Sequence, residues 1–165
     1  MIFMSQSGLL DRTREAEWDE WYVEHLRIME TVDGIHSARR FKSESEGYPP
    51  SLAMYSVEAI AVFEDPYYQK IRGMGEWLPL IDRTFYCRNL FEGMSVAPEV
   101  PADHALWVVD RDTPDLVLGD VGFTWLRSVD LDRSTPYRGI AVVPPGADEA
   151  LAHEAGVAVY KPFIP

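Results

Sequence analysis

His25 is the residue whose chemistry is best suited to proton transfer near neutral pH. An imidazole has the one side-chain pKa that ordinarily lies in that range, so it can take up and release a proton at about pH 7. Trp18 and Trp21 precede it in the sequence, and burial among them would lower the pKa of His25 and favour the neutral, basic form. The pattern alone is more typical of a hydrogen-bonded core histidine than of a catalytic one.

Several phenols accompany the histidine as candidates. Tyr22 would act beside His25 as a second catalytic group, a phenol donor, and Trp21 would form a wall of the site. The phenols predicted around the sheet and the second helix could hold or polarise a substrate carbonyl, although aromatic side chains at such positions more often belong to the core. They are Tyr55, Tyr67, Tyr68 and Tyr86, of which Tyr68 and Tyr86 are assigned to substrate binding.

Two adjacent arginines, Arg39 and Arg40, could bind a substrate carboxylate. A guanidinium binds a carboxylate through two parallel hydrogen bonds. The two side chains point to opposite faces of a predicted strand, so only one of them would face the site, and Arg40 is preferred. The alternative is that one arginine pairs with a surface acid while the other caps the helix face.

No metal or cofactor site is predicted. The histidines lack H-x-x-H or H-x-x-x-H spacing, there is no C-x-x-C, and Gly73-Met74-Gly75 lacks the flanking strand and helix of a phosphate-binding loop. Cys87 has no base beside it and is interpreted as a small core residue. The expected reaction is therefore cofactor-independent.

The composition and net charge limit the kinds of molecule that this protein is expected to bind. A net charge of −12 over 165 residues disfavours a nucleic acid, which needs clustered Lys and Arg. No window approaches the roughly 20 apolar residues of a membrane span, and the N-terminus lacks the basic region of a signal peptide. With a single cysteine, these features predict a cytoplasmic protein whose partner is a small molecule.

The segment that contains His25 is predicted to be an amphipathic helix over Glu15–Met29. Its apolar residues recur at i, i+3, i+7 and i+10, which turns the histidine inward, and Gly34 ends the helix. The apolar face comprises Trp18, Trp21, His25 and Ile28, widened by Tyr22, Leu26 and Met29. The polar face comprises Asp19, Glu20, Glu24 and Arg27.

The elements that follow predict a ferredoxin-like βαββαβ unit over residues 1–97. The predicted strands cover residues 2–5, 35–44, 52–59 and 84–91. On the second strand, Ile35, Ser37, Arg39 and Phe41 would share one face. Asp65 and Pro66 form the start signal of the second helix.

Residues 98–165 are predicted to be a degenerate second unit of the form β(loop)ββαβ, packed on the first. Pro114 and Gly119 leave little room for its first helix. The prediction depends on element order alone, because the two halves share too little identity to show a repeat. The alternative is a C-terminal extension that adds strands to one sheet edge.

The helix and the second strand together resemble the dimeric α+β-barrel superfamily, and within it the EthD-like and muconolactone-isomerase-like small proteins. The resemblance covers the chain from Met1 to the strand TFYCRNLF, and it implies two antiparallel sheets closed into an α+β barrel. In that group the second sheet comes from a partner subunit; here it would come from a homodimer partner or from the tail of the same chain. The matching residues are Trp21, Tyr22 and His25, then Gly34, Ile35, Ala38, Arg40 and Phe41, then Glu64 to Tyr68.

The resemblance shifts the interpretation of His25 from a core residue to a site residue. Members of the group include cofactor-free isomerases, monooxygenases and haem-associated proteins, so the fold does not fix the chemistry. We expect an acid–base enzyme of isomerase, lyase or decarboxylase type that acts on a small oxygen-rich metabolite. The alternatives are a non-catalytic ligand-binding or assembly module and a haem- or oxygen-handling protein.

Overall fold

The computed structural model describes residues 1–165 and contains eight strands and three α-helices. No helix is both long and apolar enough to cross a bilayer. The strands are β1 Ile2–Ser7, β2 Ile35–Lys42, β3 Ser51–Val57, β4 Cys87–Glu92, β5 Ala105–Arg111, β6 Thr124–Leu131, β7 Tyr137–Val143 and β8 Ala158–Pro162, and the helices are α1 Glu15–Met29, α2 Pro66–Ile71 and α3 Glu149–Glu154. The predicted α+β class and βαββαβ order are confirmed.

The eight strands form one closed antiparallel barrel in the order β1-β3-β2-β8-β5-β7-β6-β4. The first half contributes β4-β1-β3-β2, and the second contributes β8-β5-β7-β6. Counted within its own half, each sheet has the order fourth, first, third, second. The tail therefore repeats the first unit without its first helix, and it closes the barrel within one chain rather than extending one edge.

The two halves meet along two seams of unequal length. β4 pairs with β6 over Asn89–Glu92. β2 meets β8 only at Phe41 opposite Pro162 and Lys42 opposite Lys161. The first part of β2 therefore lacks a neighbouring strand on that side, and a groove of about 340 Å³ lies there between α1, β2 and the C-terminal residues.

The core has an inner layer and two outer layers, as alternation along each strand requires. Side chains such as Met4, Phe41 and Leu106 fill the barrel. Outside the first sheet, α1 and α2 cover a cluster that includes Phe3 and Tyr55. The outer face of the second half carries a smaller cluster that includes residues of α3.

α1 presents a slightly different face to the sheet from the one its periodicity suggests. The buried residues are Trp18, Tyr22, His25 and Met29, whereas Trp21 and Ile28 flank this stripe. The assignment of Asp19 to the solvent face is wrong. Its carboxylate turns towards β2 and lies 2.7 Å from Arg40 Nη1 and 2.7 Å from Lys42 Nζ.

A bulge in β2 alters the predicted alternation. The register with β3 shifts between Ile35 and Ser37. As a result Ile35 packs under α1, in the outer cluster, while Phe41 fills the barrel. The prediction that these two residues share a face is therefore wrong, whereas the opposite orientation of Arg39 and Arg40 is confirmed.

Arg40 holds α1 on the sheet. Its side chain is 1% exposed, its guanidinium lies 4.2 Å from the centre of the Tyr22 ring and 4.7 Å from that of Trp18, and Nε donates to Ser51 Oγ over 3.0 Å. A buried cation needs such compensation because desolvation costs several kcal/mol per ion. Asp19 supplies the opposite charge.

A second buried arginine lies inside the barrel and was not singled out from the sequence. Arg138 donates to both carboxylate oxygens of Asp110, over 2.7 and 2.8 Å, and to Gln6 Oε1 over 2.8 Å. Gln6 in turn donates to the Tyr160 hydroxyl over 3.2 Å. This network satisfies the polar groups at one end of the barrel.

Removing the charge of Asp19 should destabilise the protein, because it leaves the Arg40 cation buried without its partner. We expect Asp19→Asn to lower the free energy of unfolding by about 3 kcal/mol in urea denaturation. Glu24→Gln is the matched control, since Glu24 is an exposed residue of the same helix paired with Arg27, and it should cost at most about 0.5 kcal/mol. Equal effects of the two variants would contradict the role given to Arg40.

Candidate functional site

A small chamber lies between α1 and the outer face of the first sheet. It brings His25 and Tyr22 together with Tyr68 and Tyr86, four of the residues predicted for the site. Its free volume is about 20 Å³, the space of roughly one water molecule. The other lining residues are Phe3, Ser5, Met29, Tyr55, Gly73, Met74 and Arg88.

Each wall of the chamber is fixed by a different element. α1 carries His25 and Tyr22 three residues apart on one face. β3 places Tyr55 opposite Phe3 of β1, so the two rings stack with centres 5.1 Å apart. Tyr68 lies in the first turn of α2, which is capped by the Asp65 carboxylate as predicted.

Tyr86 was predicted within a strand but lies in the turn before β4. The Asp82 side chain accepts hydrogen bonds from the backbone N–H and the hydroxyl of Thr84, and these bonds hold residues 82–86 out of the sheet. The strand consequently begins at Cys87. The turn leaves the Tyr86 ring at the rim of the chamber.

The imidazole of His25 is enclosed by aromatic rings. It is 9% exposed, stacks on Trp21 with ring centres 4.8 Å apart, and meets the Tyr22 ring edge-on at 5.9 Å. Burial lowers the pKa of His25 to about 4, because the imidazolium form loses its hydration. His25 is therefore neutral at pH 7, and no carboxylate lines the chamber to stabilise its charged form.

Three tyrosines of the chamber keep their protons at neutral pH and can act as hydrogen-bond donors. Burial raises the pKa of Tyr22, Tyr55 and Tyr68 above that of a free phenol. The charge of Arg40 opposes this effect at Tyr22, as do the charges of Arg88 and Arg72 at Tyr68. These phenols can therefore donate hydrogen bonds to a substrate oxygen on which negative charge develops.

The remaining predicted residues lie outside the chamber. Trp21 supports His25 from behind through the stacked ring. Arg40 does not line the chamber; its guanidinium lies 4.2 Å from the centre of the Tyr22 ring, and the residue also lines the groove between α1, β2 and the C-terminal residues. Arg39 pairs with Glu99 and lines the groove beside β8. The substrate-binding roles of the two arginines stay predictions, and the geometry gives Arg40 a positioning role instead.

Three of the polar lining residues, Ser5, Tyr55 and Arg88, were not assigned to the site from the sequence. Tyr55 is a chamber residue because β3 alternates and its register pairs it with Phe3. Ser5 shares that face of β1, as the same alternation requires. Arg88 is on the face opposite Cys87, which the strand pattern indicated, but its proximity to the chamber depends on how the barrel folds.

An outer vestibule of about 480 Å³ adjoins the chamber. The two spaces share Gly73, Met74, Tyr86 and Arg88 as a common wall. Met74 lines both spaces and is 3% exposed, and the flanking Gly73 and Gly75 have positive φ values of 90° and 51°. A flexible thioether side chain in a turn of this kind can move aside more easily than a helix can.

A haem bound through His25 does not fit this chamber. A macrocycle needs far more room than the roughly 20 Å³ beside the imidazole, and the ring faces of His25 and Trp21 are already in contact. The aromatic walls of the chamber stay close together, because they belong to α1 and to the sheet, and the buried Arg40 holds these two elements against each other.

Comparison with known proteins identifies the fold. No protein-family model matches the sequence, and no curated protein matches it. Among solved structures, a candidate chlorite dismutase has a TM-score of 0.59 and 8% identity, with 99% of this chain and 94% of that chain covered. An anthrone oxidase-like protein has a TM-score of 0.59 and 11% identity, with coverages of 99% and 91%. The likeness extends over the full length of this protein, which therefore has the α+β-barrel fold; the EthD-like subgroup is not confirmed.

Proposed function

We propose that this protein is a cofactor-independent proton-transfer enzyme, of isomerase or lyase type, acting on a small oxygen-rich organic molecule. The observation that carries the proposal is the convergence of one neutral imidazole with the phenols of Tyr22, Tyr55, Tyr68 and Tyr86 in a single chamber. A base beside several uncharged donors is the arrangement that enolisation requires.

His25 acts as the general base. Its neutral imidazole removes a proton from a carbon next to a carbonyl group, and the electron pair of the broken C–H bond moves onto the carbonyl oxygen as an enolate. Return of the proton to a different carbon gives an isomer, and loss of a leaving group from the β-carbon gives an elimination product. A base with a pKa of about 4 needs an acidic C–H, such as one between two carbonyl groups.

The tyrosines stabilise the enolate. Tyr22, Tyr55 and Tyr68 keep their protons at neutral pH and can donate hydrogen bonds to the developing oxyanion. The low polarity of the surrounding walls strengthens these bonds relative to water. The Arg40 guanidinium lies against the Tyr22 ring and holds this phenol where it can stabilise the negative charge of the enolate.

The substrate enters from the vestibule. The chamber has room for about one water molecule, so Met74 and the turn at Gly73–Gly75 must move outward before a reactive carbon reaches His25. Closure behind the substrate would then exclude water, as loop motions do in many enzymes.

A non-catalytic ligand-binding protein is the second candidate, and the small size of the chamber favours it. In that case the neutral His25 and the phenols recognise oxygen atoms of a ligand without any change in bonding. Ligand binding with no proton exchange at any carbon would distinguish this function from the first.

Deuterium exchange in D₂O tests the base directly. We expect the protein to accelerate deuterium exchange, measured by NMR, at the acidic C–H between the two carbonyl groups of small 1,3-diketones. His25→Gln should reduce the rate at least about 100-fold, because it removes the general base. Tyr22→Phe should reduce it about tenfold, because one oxyanion donor is lost.

His36→Gln is the control for these variants, since His36 is an exposed histidine outside the chamber. It should leave the exchange rate unchanged. Exchange that persists in His25→Gln would refute the assignment of the base.

The buried neutral histidine also makes stability depend on pH. The unfolded chain protonates His25 near pH 6.5, whereas the folded chain does so only at about pH 4. Its contribution is fully present above pH 6.5 and falls as the pH decreases to 4, by up to about 3 kcal/mol at roughly 1.4 kcal/mol per pKa unit.

His25→Gln removes this contribution, so its stability relative to the wild type should improve by about 3 kcal/mol between pH 7 and pH 4 in urea titrations. Other acidic groups titrate in both proteins and cancel in the difference. Parallel stability curves for the two proteins would show that His25 titrates normally in the fold.

A further inference from the structure

We propose that the vestibule outside the His25 chamber is an anion site, and that it binds the carboxylate of an organic acid whose body enters the chamber. The proposal rests on the proposed function, since it names the class of substrate that the chamber would take. Three arginines, Arg72, Arg83 and Arg88, line this vestibule, and no acidic residue does.

The three guanidinium groups are free to bind an anion. Arg72 Nε donates to Gln69 Oε1 over 2.8 Å, and the Arg88 guanidinium lies 6.0 Å from the centre of the Tyr86 ring. None of the three forms an ion pair. By contrast, the arginines with an acidic partner within 4.0 Å are Arg12, Arg14, Arg27, Arg39, Arg40, Arg127 and Arg138.

A cluster of three arginines without ion pairs is unusual for a chain with a net charge of −12. Carboxylates outnumber the basic residues, and they neutralise most arginines elsewhere in the fold. A concave surface that keeps three arginines and excludes every acid creates a local positive potential, which attracts anions against the overall repulsion.

The vestibule and the chamber are parts of one path. They share Met74, Tyr86 and Arg88, and the charges of Arg88 and Arg72 extend to the Tyr68 phenol, where they oppose the rise in its pKa. A ligand whose carboxylate binds the arginines therefore points its uncharged end towards Tyr68 and His25. Guanidinium groups hold a carboxylate through paired, charge-assisted hydrogen bonds, which fixes the orientation of the ligand.

Calorimetric titration with salicylate tests the site, and 2-hydroxybenzyl alcohol is the uncharged analogue. We expect the wild type to bind salicylate more tightly than the alcohol, with an affinity that falls as the ionic strength rises. The triple variant Arg72→Gln, Arg83→Gln, Arg88→Gln should weaken salicylate binding about tenfold or more and weaken binding of the alcohol much less, so that the preference for the carboxylate is lost.

Arg133→Gln is the matched control, because Arg133 is exposed, has no ion pair and is not part of the vestibule wall. It should change the salicylate affinity by less than about twofold, as a surface charge does. Equal losses in Arg133→Gln and the triple variant would overturn the proposal, as would equal wild-type affinities for salicylate and the alcohol. Tighter binding of phenyl phosphate than of salicylate would overturn the assignment of a carboxylate.

His25→Gln separates this proposal from the proposed function. It should keep the wild-type preference for salicylate over the uncharged alcohol, because the carboxylate binds the arginines and His25 does not line the vestibule. If it keeps this preference and deuterium exchange is unaffected by the same variant, the base assignment fails and the anion site stands. If exchange depends on His25 but the triple variant binds normally, the anion site fails and the base assignment stands.

Discussion

The buried cation of Arg40 is the interaction on which the candidate site depends. It sits between α1 and the sheet, where Asp19 supplies the opposite charge and the faces of Trp18 and Tyr22 cover the guanidinium. If α1 moved away from β2, the Arg40 cation would lose the Asp19 charge and the aromatic rings that compensate for its desolvation. This cost keeps α1 and β2 in one relative position. That position fixes Tyr22 and, three residues later, His25 against the phenols of the sheet. Arg40, whose substrate-binding role stays a prediction, thus holds the wall of the chamber in place.

The single-chain barrel makes the two halves unequal. Both sheets have the same strand order, but the second has no counterpart of α1, because residues 112–123 form a loop with Pro114 and Gly119. The outer face of the second sheet is packed with apolar residues instead. A chamber that needs a histidine-bearing helix over the sheet can therefore form in the first half only. The second half supplies the strands that close the barrel and the Arg138 network that fills one end of it.

Local patterns were enough to predict the fold class, the element order and the inward direction of His25. The apolar periodicity of α1, the helix start at Asp65–Pro66, and Pro114 and Gly119 in the tail each reflect a conformational preference of neighbouring residues. Features that depend on long-range packing could not be predicted in this way. Asp19 looks exposed by periodicity and is drawn inward by Arg40 and Lys42, two residues of a distant strand. The bulge at Ile35 is likewise set by pairing with β3. The vestibule arginines belong to segments before and after a 3₁₀ turn at Gly75–Leu80, so only the folded chain brings them together.

The central claim is that His25 is a neutral base enclosed by aromatic rings, and its titration tests this claim most directly. In protein labelled with ¹⁵N in the histidine side chains, the His25 imidazole resonances can be assigned by comparison with the spectrum of His25→Gln. We expect them to stay in the neutral form down to about pH 4. A His25 imidazole that instead takes up its proton near pH 6.5, the ordinary value for a histidine, would be hydrated, and the enclosed chamber would not exist in solution.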